Sequence, residues 1–414
     1  MNILYIEHYA GSPEMGMEFR PYYLSREWVK MGHRVSIIAG DYSHLRKHNP
    51  TITHDMEKQT IDGIDYYWLQ TGAYEGNGIS RALTMFRFCN KLNKWKGWIN
   101  DHLNPDVVIS SSTYPIDSIP AHRIARGGTI SSRHIHEVHD MWPSTLIEIG
   151  GMSKLNPFVM MMQYGENYAY KHADAVVSLL KYSKEYMIMH GLKDEKFFHI
   201  PNGIVLEEWE NPEPLPIEHK RTLEQLKESG RFIVGYFGGH ALSNCLMPLV
   251  QSAEQMQGEE IHFILIGDGV EKKELMAYAE EHKIRNITFL SPVIKKAIPT
   301  LTEYFSCTYI GAKDSPLYRF GACMNKMFDG MMAGKPIIFA INAPPTPVSD
   351  ANCGLVIKPE DTGEIVSAVK QLMQMDEDER VEMGRRGKEE ILSHYTYKRL
   401  GENFMQICEK AMIN

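Results

Sequence analysis

The residues best suited to bind a ligand lie in the run 316–336, near the C-terminal end of the chain. The second half of this run predicts a short helix that ends at Gly334, and Asp329 follows Lys326 and Asn325 by three and four residues. An amide, an ammonium and a carboxylate on one face suit a charged, hydroxyl-rich ligand, and the N–H groups of a helix start favour a phosphate. A solvated helix start with no ligand would show the same residues.

Two glycine-rich turns in the same half are further candidates. Gly238 and Gly239 stand where an apolar strand ends, so the backbone of the next turn can approach a phosphate, although an ordinary strand-to-helix turn would look the same. No basic residue follows closely, so Lys326 and Arg319 would have to supply the positive charge for a diphosphate. The segment Gly267-Asp-Gly269 has only two glycines of a dinucleotide fingerprint, which disfavours a dehydrogenase.

The first half of the chain has polar residues behind two predicted strands. Gly16 ends a glycine-containing loop after the first strand, and Arg20 opens the next helix. This loop fits either a cover over a reactive phosphate or an ordinary connection.

His134, His136 and His139, with Asp140, lie at the end of a later strand that faces the expected cleft, and His139 and Asp140 are candidate site residues. Zinc is the alternative ligand for the histidines. However, strand alternation would place His139 on the face opposite the other two, and no cysteine lies nearby. Asp140 also fits a cap at a turn.

The elements that must position these residues are short apolar runs alternating with helical patterns. Continuous apolar character predicts parallel strands covered on both faces, from Asn2–Glu7 to Gly354–Ile357. Two successive series of this kind predict an α/β protein with two doubly wound, Rossmann-like domains facing across a cleft. The expected divisions are an N-terminal acceptor-side domain at 1–205, a linker at 206–230, a nucleotide-binding domain at 231–395 and a final helix at 396–414.

Composition limits the class of protein. The chain has 414 residues, 43% of them hydrophobic and 23% charged, which is typical of a globular protein with more than one domain. A net charge of −8 argues against a general nucleic-acid partner. Six scattered cysteines favour reduced thiols and a cytoplasmic location, and neither a signal peptide nor a membrane-spanning run is expected. The acidic run 376–378 fits a helix start, so no metal and no other cofactor is expected.

The stretch 76–100 has five basic residues and no acidic one. Its apolar residues recur at helical spacing, and they are Met85, Phe88, Leu92, Trp95 and Ile99. This pattern fits a helix lying on an anionic membrane through residues 81–99, and it equally fits a helix packed on the protein core with a basic outer side.

The motifs and their order resemble those of the family 4 retaining glycosyltransferases, which have the GT-B fold. Asp329 stands five residues before the Gly of Gly-Lys-Pro336, where the family has a carboxylate that binds the nucleotide ribose. The chain departs from the commoner pattern at Gly321, where a second acidic residue is usual. The pair Asn325-Lys326 resembles the branch that builds bacterial surface polysaccharides.

Other segments extend the resemblance over essentially the whole chain. Asp140-Met-Trp-Pro143 matches a family motif, and Gly16 and Arg20 match a glycine-containing loop and an arginine that the family has after its first strand. Val293 lies in the segment that resembles the one whose backbone contacts the nucleotide base. The chain looks like transferases of O-antigen or capsule assembly, including N-acetyl-fucosamine transferases. The GT-B fold further implies that the final helix, 396–414, crosses back and packs on the N-terminal domain.

The resemblance implies transfer of a sugar from a nucleoside diphosphate, with UDP as the expected nucleotide, and retention of configuration. Asp329 would bind the ribose, Lys326 and Arg319 the leaving diphosphate, with Asp140, His139 and Lys326 at the reacting groups. The implied acceptor is a sugar on a polyprenyl diphosphate at the inner face of the plasma membrane, where the enzyme would be peripheral. A non-hydrolysing nucleotide-sugar epimerase and a non-catalytic assembly scaffold are the alternatives.

Overall fold

Apolar runs form two parallel sheets in the computed structural model, which describes residues 1–16, 19–76, 78–128 and 132–413. The chain divides into two compact units, one of residues 1–201 with 397–414 and one of residues 202–396. They are called unit 1 and unit 2 below. The prediction of two doubly wound parallel-sheet domains is confirmed.

Unit 1 is built on an eight-stranded sheet in the order β3-β4-β2-β1-β5-β6-β7-β8. Its strands are β1 (Asn2–Ile6), β2 (Arg34–Gly40), β3 (Glu57–Ile61), β4 (Ile64–Leu69), β5 (Val107–Ser110), β6 (Arg133–Val138), β7 (Ala175–Ser178) and β8 (Phe197–His199). Its helices are α1 (Phe19–Lys30), α2 (Ile79–Leu103), α3 (Ser118–Ala125), α4 (Ser144–Glu148), α5 (Pro157–His172), α6 (Lys184–Met189) and, at the end of the chain, α16 (Tyr397–Ile413). Only the β3–β4 pair is antiparallel among the pairs described.

Unit 2 is built on a six-stranded parallel sheet in the order β11-β10-β9-β12-β13-β14. Its strands are β9 (Phe232–Phe237), β10 (Ile261–Ile266), β11 (Ile287–Leu290), β12 (Cys307–Gly311), β13 (Ile337–Ala340) and β14 (Gly354–Ile357). Its helices are α7 (Leu206–Glu210), α8 (Ile217–Glu228), α9 (Met247–Gln255), α10 (Lys272–Glu281), α11 (Ile298–Thr302), α12 (Asn325–Met332), α13 (Pro347–Asp350), α14 (Thr362–Gln374) and α15 (Glu377–His394). The segment 206–230, expected to be a linker, therefore contains the two helices α7 and α8. The acidic run 376–378 is a helix start as expected, with Asp376 at the N-cap of α15.

The apolar stripe of α2 is part of the core of unit 1, which corrects its interpretation as a lipid-facing surface. Met85, Phe88, Leu92 and Ile99 are buried at 2% exposure or less, and the last three pack with residues of the strands. On the polar side, the Lys91 ammonium lies 2.5 Å from the Asp55 carboxylate. Helical periodicity is the same for a stripe that faces lipid and one that faces a sheet, so the sequence alone did not separate them. Among the described residues, no helix is both long and apolar enough to cross a membrane.

Candidate functional site

The strongest candidate site is the carboxyl edge of the sheet in unit 2, where open α/β sheets bind their ligands. Gly238 and Gly239 leave the end of β9, and Gly238 has a φ of 137° that favours glycine. The Tyr236 hydroxyl and the Asn244 amide donate to the Gly239 carbonyl at 2.6 and 2.8 Å. These bonds fix the backbone of the turn, which we call the glycine loop (residues 238–244).

The two glycines after β10 hold the glycine loop in place. A Cβ on Gly267 would lie 1.8 Å from the Gly238 carbonyl oxygen, and a Cβ on Gly269 would lie 2.4 Å from the His240 carbonyl oxygen. Such separations are shorter than any real contact, so both positions require glycine. The incomplete fingerprint in the sequence is therefore a packing requirement of the glycine loop.

Lys326 reaches the glycine loop from the first turn of α12. Its ammonium hydrogen-bonds the Asn244 side-chain oxygen and lies 5.3 Å from the centre of the Tyr236 ring. Burial lowers the pKa of Lys326 to about 8. A cation beside a glycine turn, at the start of a helix, is an arrangement suited to a diphosphate.

Asp329 lies one turn further along α12 and is 5% exposed. Burial raises the pKa of its carboxyl to about 6; the nearby Glu208 adds to this, while Lys295 and a hydrogen bond from Trp209 oppose it. Lys295 follows Val293 by two residues, so the charge that acts on Asp329 comes from the segment expected to contact the base. The carboxylate is thus already engaged with α7, which the sequence pattern did not indicate.

Asn325 and Arg319 flank this site on the surface of unit 2. Asn325 is exposed at the first position of α12. The exposed Arg319 guanidinium lies 4.2 Å from the centre of the Phe320 ring, and it donates to the Pro316 carbonyl at 2.7 Å. Their part in ligand binding stays a prediction.

Arg20 in unit 1 forms a buried ion pair with Glu137. The guanidinium is 5% exposed, lies 2.8 Å from the Glu137 carboxylate and donates to the carbonyls of Ile200 and Pro201 at 2.9 and 2.6 Å. Arg20, chiefly through its charge, holds the pKa of the Glu137 carboxyl well below its usual range, although burial opposes this. Arg20 thus joins β6 to the end of β8. It was expected to bind the nucleotide sugar, and that role stays a prediction, because the contacts that the structure shows for it are these buried ones. Gly16, in the left-handed region with a φ of 73°, ends the turn Pro13–Met15.

His139 and Asp140 lie at the carboxyl end of β6. The His139 Nε2 atom is 2.9 Å from the Glu137 carboxylate and 2.7 Å from the Ser111 hydroxyl. One carboxylate oxygen of Asp140 accepts from the Met141 N–H and the Thr145 hydroxyl, both at 2.8 Å. Both residues also line a narrow pocket, so Asp140 caps a turn and still adjoins open space.

The other two histidines of this strand are buried in the interior of unit 1. His134 Nε2 and His136 Nδ1 each lie 2.9 Å from the Ser110 hydroxyl, and both rings are buried. Within the described residues, no group of three His, Cys, Asp or Glu side chains is arranged to hold a metal ion.

A cluster of aromatic and basic side chains at the carboxyl edge of unit 1 was missed in the sequence. The Arg81 guanidinium lies 5.1 and 6.0 Å from the ring centres of Tyr9 and Tyr74, and His44 Nδ1 is 2.8 Å from the Tyr74 hydroxyl. Both rings are buried in the core of unit 1, at 1% and 4% exposure, so the partly exposed Arg81 is the group of this cluster that a phosphate can reach. Tyr9 follows β1 by three residues, and its position just after the first strand was the available signal.

Family comparisons agree with this architecture. Residues 15–208 match the family model described as Glycosyltransferase Family 4, and residues 231–375 match the one described as Glycosyl transferases group 1. Together the two matches cover most of the chain. The protein is a glycosyltransferase, and it belongs to the family 4 and group 1 type. No curated protein matches the chain.

Solved structures show the same fold across almost the full length. Sucrose-phosphate synthase from Thermosynechococcus elongatus has a TM-score of 0.73 at 15% identity, with 99% of each chain covered. A glycosyltransferase from Rickettsia africae has a TM-score of 0.70 at 10% identity, covering 100% of this chain and 99% of its own. Anabaena HepE, in complex with UDP, has a TM-score of 0.66 at 13% identity, covering 99% of this chain and 100% of its own. The fold is GT-B.

Proposed function

We propose that the protein is a retaining glycosyltransferase that takes its sugar from a nucleoside diphosphate, UDP being the preferred carrier. The observation that carries the proposal is the approach of Lys326 to the glycine loop through Asn244. This arrangement offers a cation, the turn at Gly238 and a helix start to one diphosphate. Anabaena HepE has been solved with UDP-glucose, and an E. coli protein of similar fold with UDP-2-fluoro glucose, which supports the choice of nucleotide.

In the proposed reaction, the diphosphate leaves the sugar with a growing negative charge. Lys326 stabilises that charge, and Asp329 accepts hydrogen bonds from the ribose hydroxyls. Gly321 stands where the family commonly has a second acid, so this position offers no carboxylate nucleophile. Retention then follows from attack on the same face that the diphosphate leaves, with a donor phosphate oxygen taking the proton of the acceptor hydroxyl. His139 and Asp140 orient that hydroxyl.

The proposed acceptor is a sugar linked to a polyprenyl diphosphate in O-antigen or capsule assembly. The partly exposed Arg81, which lies against the buried rings of Tyr9 and Tyr74, offers a positive charge to that diphosphate. Beside Arg81 on α2, Ile79 is 81% and Leu83 48% exposed, in contrast to the buried stripe of this helix. These two side chains offer the lipid a contact and would give the protein a peripheral membrane position.

The test is mass spectrometry of a lipid-linked sugar acceptor incubated with a panel of nucleotide sugars. We expect a mass increase of one sugar with one UDP-sugar, strongly reduced in Lys326→Ala and retained in Lys273→Ala, which removes an exposed lysine of α10. Nuclear magnetic resonance of the product establishes whether configuration is retained. Conversion of a UDP-sugar without acceptor would instead identify an epimerase, and full polysaccharide assembly by the Lys326→Ala variant in cells would identify a scaffold.

Asp329 provides a second test, because its carboxylate is held at a cost to stability. Its pKa of about 6 lies above the usual ~3.9, so the stabilisation from its proton is complete below about pH 4 and is lost as the pH rises through 6. The whole loss is roughly 3 kcal/mol. Asp329→Asn has no proton to lose, so its gain in free energy of unfolding over wild type should be about 1 kcal/mol larger at about pH 8 than at about pH 5.

The same Asp329→Asn variant should bind UDP more weakly, by the roughly 1.5–3 kcal/mol of a hydrogen bond to a charged group. Urea unfolding measures the first effect and titration calorimetry the second. A variant that is stabilised at the higher pH and binds UDP with wild-type affinity would remove Asp329 from the ribose site.

A further inference from the structure

A second pocket opens at the amino edge of the sheet in unit 2, away from the glycine loop. Residues just before β9, β12 and β13 line it, among them Arg231, Ser306 and Pro336, and its volume is about 310 Å³. The glycine loop follows the carboxyl end of β9, so the length of that strand, about 20 Å, separates the two places. Pockets of this volume bind small organic ligands.

The lining of this pocket is strongly basic. It has four cationic side chains, Lys227, Arg231, Lys335 and Arg380, and two acidic ones, Glu303 and Glu377. The lining is thus positive in a chain whose net charge is −8. In the part of the chain that the structure describes, no carboxylate lies within salt-bridge distance of any of the four cations. Arg380 donates to the carbonyls of Leu372 and Met375, which leaves its charge uncompensated. Four cations without a carboxylate partner around one opening favour an anion.

The basic residues stand on a fixed framework. A Cβ on Gly384 would lie 1.9 Å from the Gly334 carbonyl oxygen, so α15 packs directly against the turn that carries Lys335. The Thr308 N–H donates to the Pro336 carbonyl at 2.9 Å on the other side of this turn. The pocket is therefore preorganised, which reduces the entropy lost on binding.

Lys335 shows most directly that a counter-charge would be favourable. The side chain is half-buried, and burial lowers the pKa of its ammonium. The nearby Lys227 lowers this pKa further, and Glu303 partly opposes the shift. An anion between Lys227 and Lys335 would relieve both the burial and the repulsion between like charges.

The pocket also offers apolar and aromatic surface. Phe305 packs its ring on Gly235, and Tyr304 lies with its ring centre 5.6 Å from the Lys227 ammonium. Phe305 and Ile233 are 1% and 2% exposed, so the accessible apolar surface comes from the partly exposed Tyr304 and the exposed Val381. An inorganic ion would contact only the cations, whereas an organic phosphate would contact both kinds of surface.

We propose that this pocket of unit 2 binds a small organic phosphate, a phosphomonoester dianion whose organic part lies on Tyr304. The phosphate contacts Lys227 and Lys335, with Arg231 and Arg380 adding positive charge. The site is separate from the candidate donor site, and the proposal does not depend on the proposed glycosyl transfer.

The test is titration calorimetry of the full chain with glucose 6-phosphate, with glucose and inorganic phosphate as comparison ligands. We expect saturable binding of one glucose 6-phosphate, weaker binding of inorganic phosphate and none of glucose. In Lys227→Ala/Lys335→Ala the affinity should fall at least tenfold. The control Lys220→Ala/Lys273→Ala removes two exposed lysines of the same unit and should bind as wild type, as should the donor-site variant Lys326→Ala.

Thermal unfolding verifies that the variants are folded, and Lys227→Ala alone, exposed on α8, gives a reading if the double variant is unstable. Equal affinity in Lys227→Ala/Lys335→Ala and its control would overturn the proposal. Loss of binding in Lys326→Ala alone would overturn it as well, because the phosphate would then occupy the donor site. Absence of saturable heat at millimolar glucose 6-phosphate has the same consequence.

Discussion

Lys326 makes ligand binding at the candidate donor site sensitive to pH. Its ammonium is placed over the Tyr236 ring and against the Asn244 oxygen, and burial keeps its pKa near 8. A lysine with so low a pKa is charged at neutral pH but loses its proton in mildly alkaline solution. The affinity for any diphosphate bound through Lys326 should therefore change with pH over this range.

We therefore predict that UDP binds more weakly as the pH rises from about 7 to about 9, because only the charged ammonium attracts the diphosphate. The loss should approach tenfold per pH unit above the pKa of the free protein, measured by titration calorimetry. In Lys326→Arg the guanidinium stays charged over this range, so its affinity should not fall. A wild-type affinity that is constant over the range would show that Lys326 does not contact the diphosphate.

Residue types were predictable from the sequence, but residue environments were not. Lys326 and Asp329 were recognised because helical spacing places them on one face. The pKa of Asp329 is affected by the charge of Glu208 and a hydrogen bond from Trp209, which lie on α7 more than a hundred residues earlier. Arg20 likewise meets Glu137 through long-range packing, so no local pattern distinguishes its buried ion pair from a ligand contact.

At the scale of elements, the glycine loop is shaped by its neighbour in the sheet. The turn after β10 approaches the turn after β9 so closely that only glycine fits at position 267. Parallel strands bring their carboxyl ends to one edge, which is why two turns distant in sequence share this space.

We predict that Gly267→Ala displaces the glycine loop and weakens UDP binding at least tenfold, since the new Cβ would fall 1.8 Å from the Gly238 carbonyl oxygen. The stability cost should be about 1–3 kcal/mol, as for other overpacked sites. Gly363→Ala, in α14, is the matched control, because its Cβ would lie at an ordinary contact distance of 3.4 Å from the Asp361 carboxylate. Equal UDP affinity in the two folded variants would separate the glycine loop from nucleotide binding.

Elements were predicted well where burial gives the sequence a continuous apolar run, and poorly where the element is exposed and polar. Strands of continuous apolar residues were recognised with small differences at their ends. β3 was not predicted, because Glu57–Ile61 is polar, largely exposed and paired only at the edge of the sheet. The helix α2 was predicted, but which surface its apolar stripe covers depends on the sheet beneath it.

At the scale of the whole molecule, the chain leaves unit 1 at Pro201 and returns to it at Tyr397. The returning helix α16 packs on α1, where the Trp28 indole donates to the Gly401 carbonyl at 3.1 Å and lies 5.2 Å from the Phe404 ring. Trp28 and Phe404 are completely buried. Unit 1 therefore includes α16, as the resemblance to the GT-B fold implied, although no local pattern in the sequence indicates this packing.

We predict that ending the chain at Thr396 destabilises unit 1 selectively. Each large apolar side chain exposed by the loss of α16, such as Trp28, costs about 1.5–3 kcal/mol, a large part of the 5–15 kcal/mol that stabilises a typical domain. Hydrogen exchange followed by mass spectrometry should show faster exchange in α1, while β9 and β10 of unit 2 keep their protection. Removing only residues 412–414 is the control, because Met412 and Ile413 are 43% and 86% exposed. Unchanged protection of α1 in the longer truncation would mean that unit 1 is stable without its final helix.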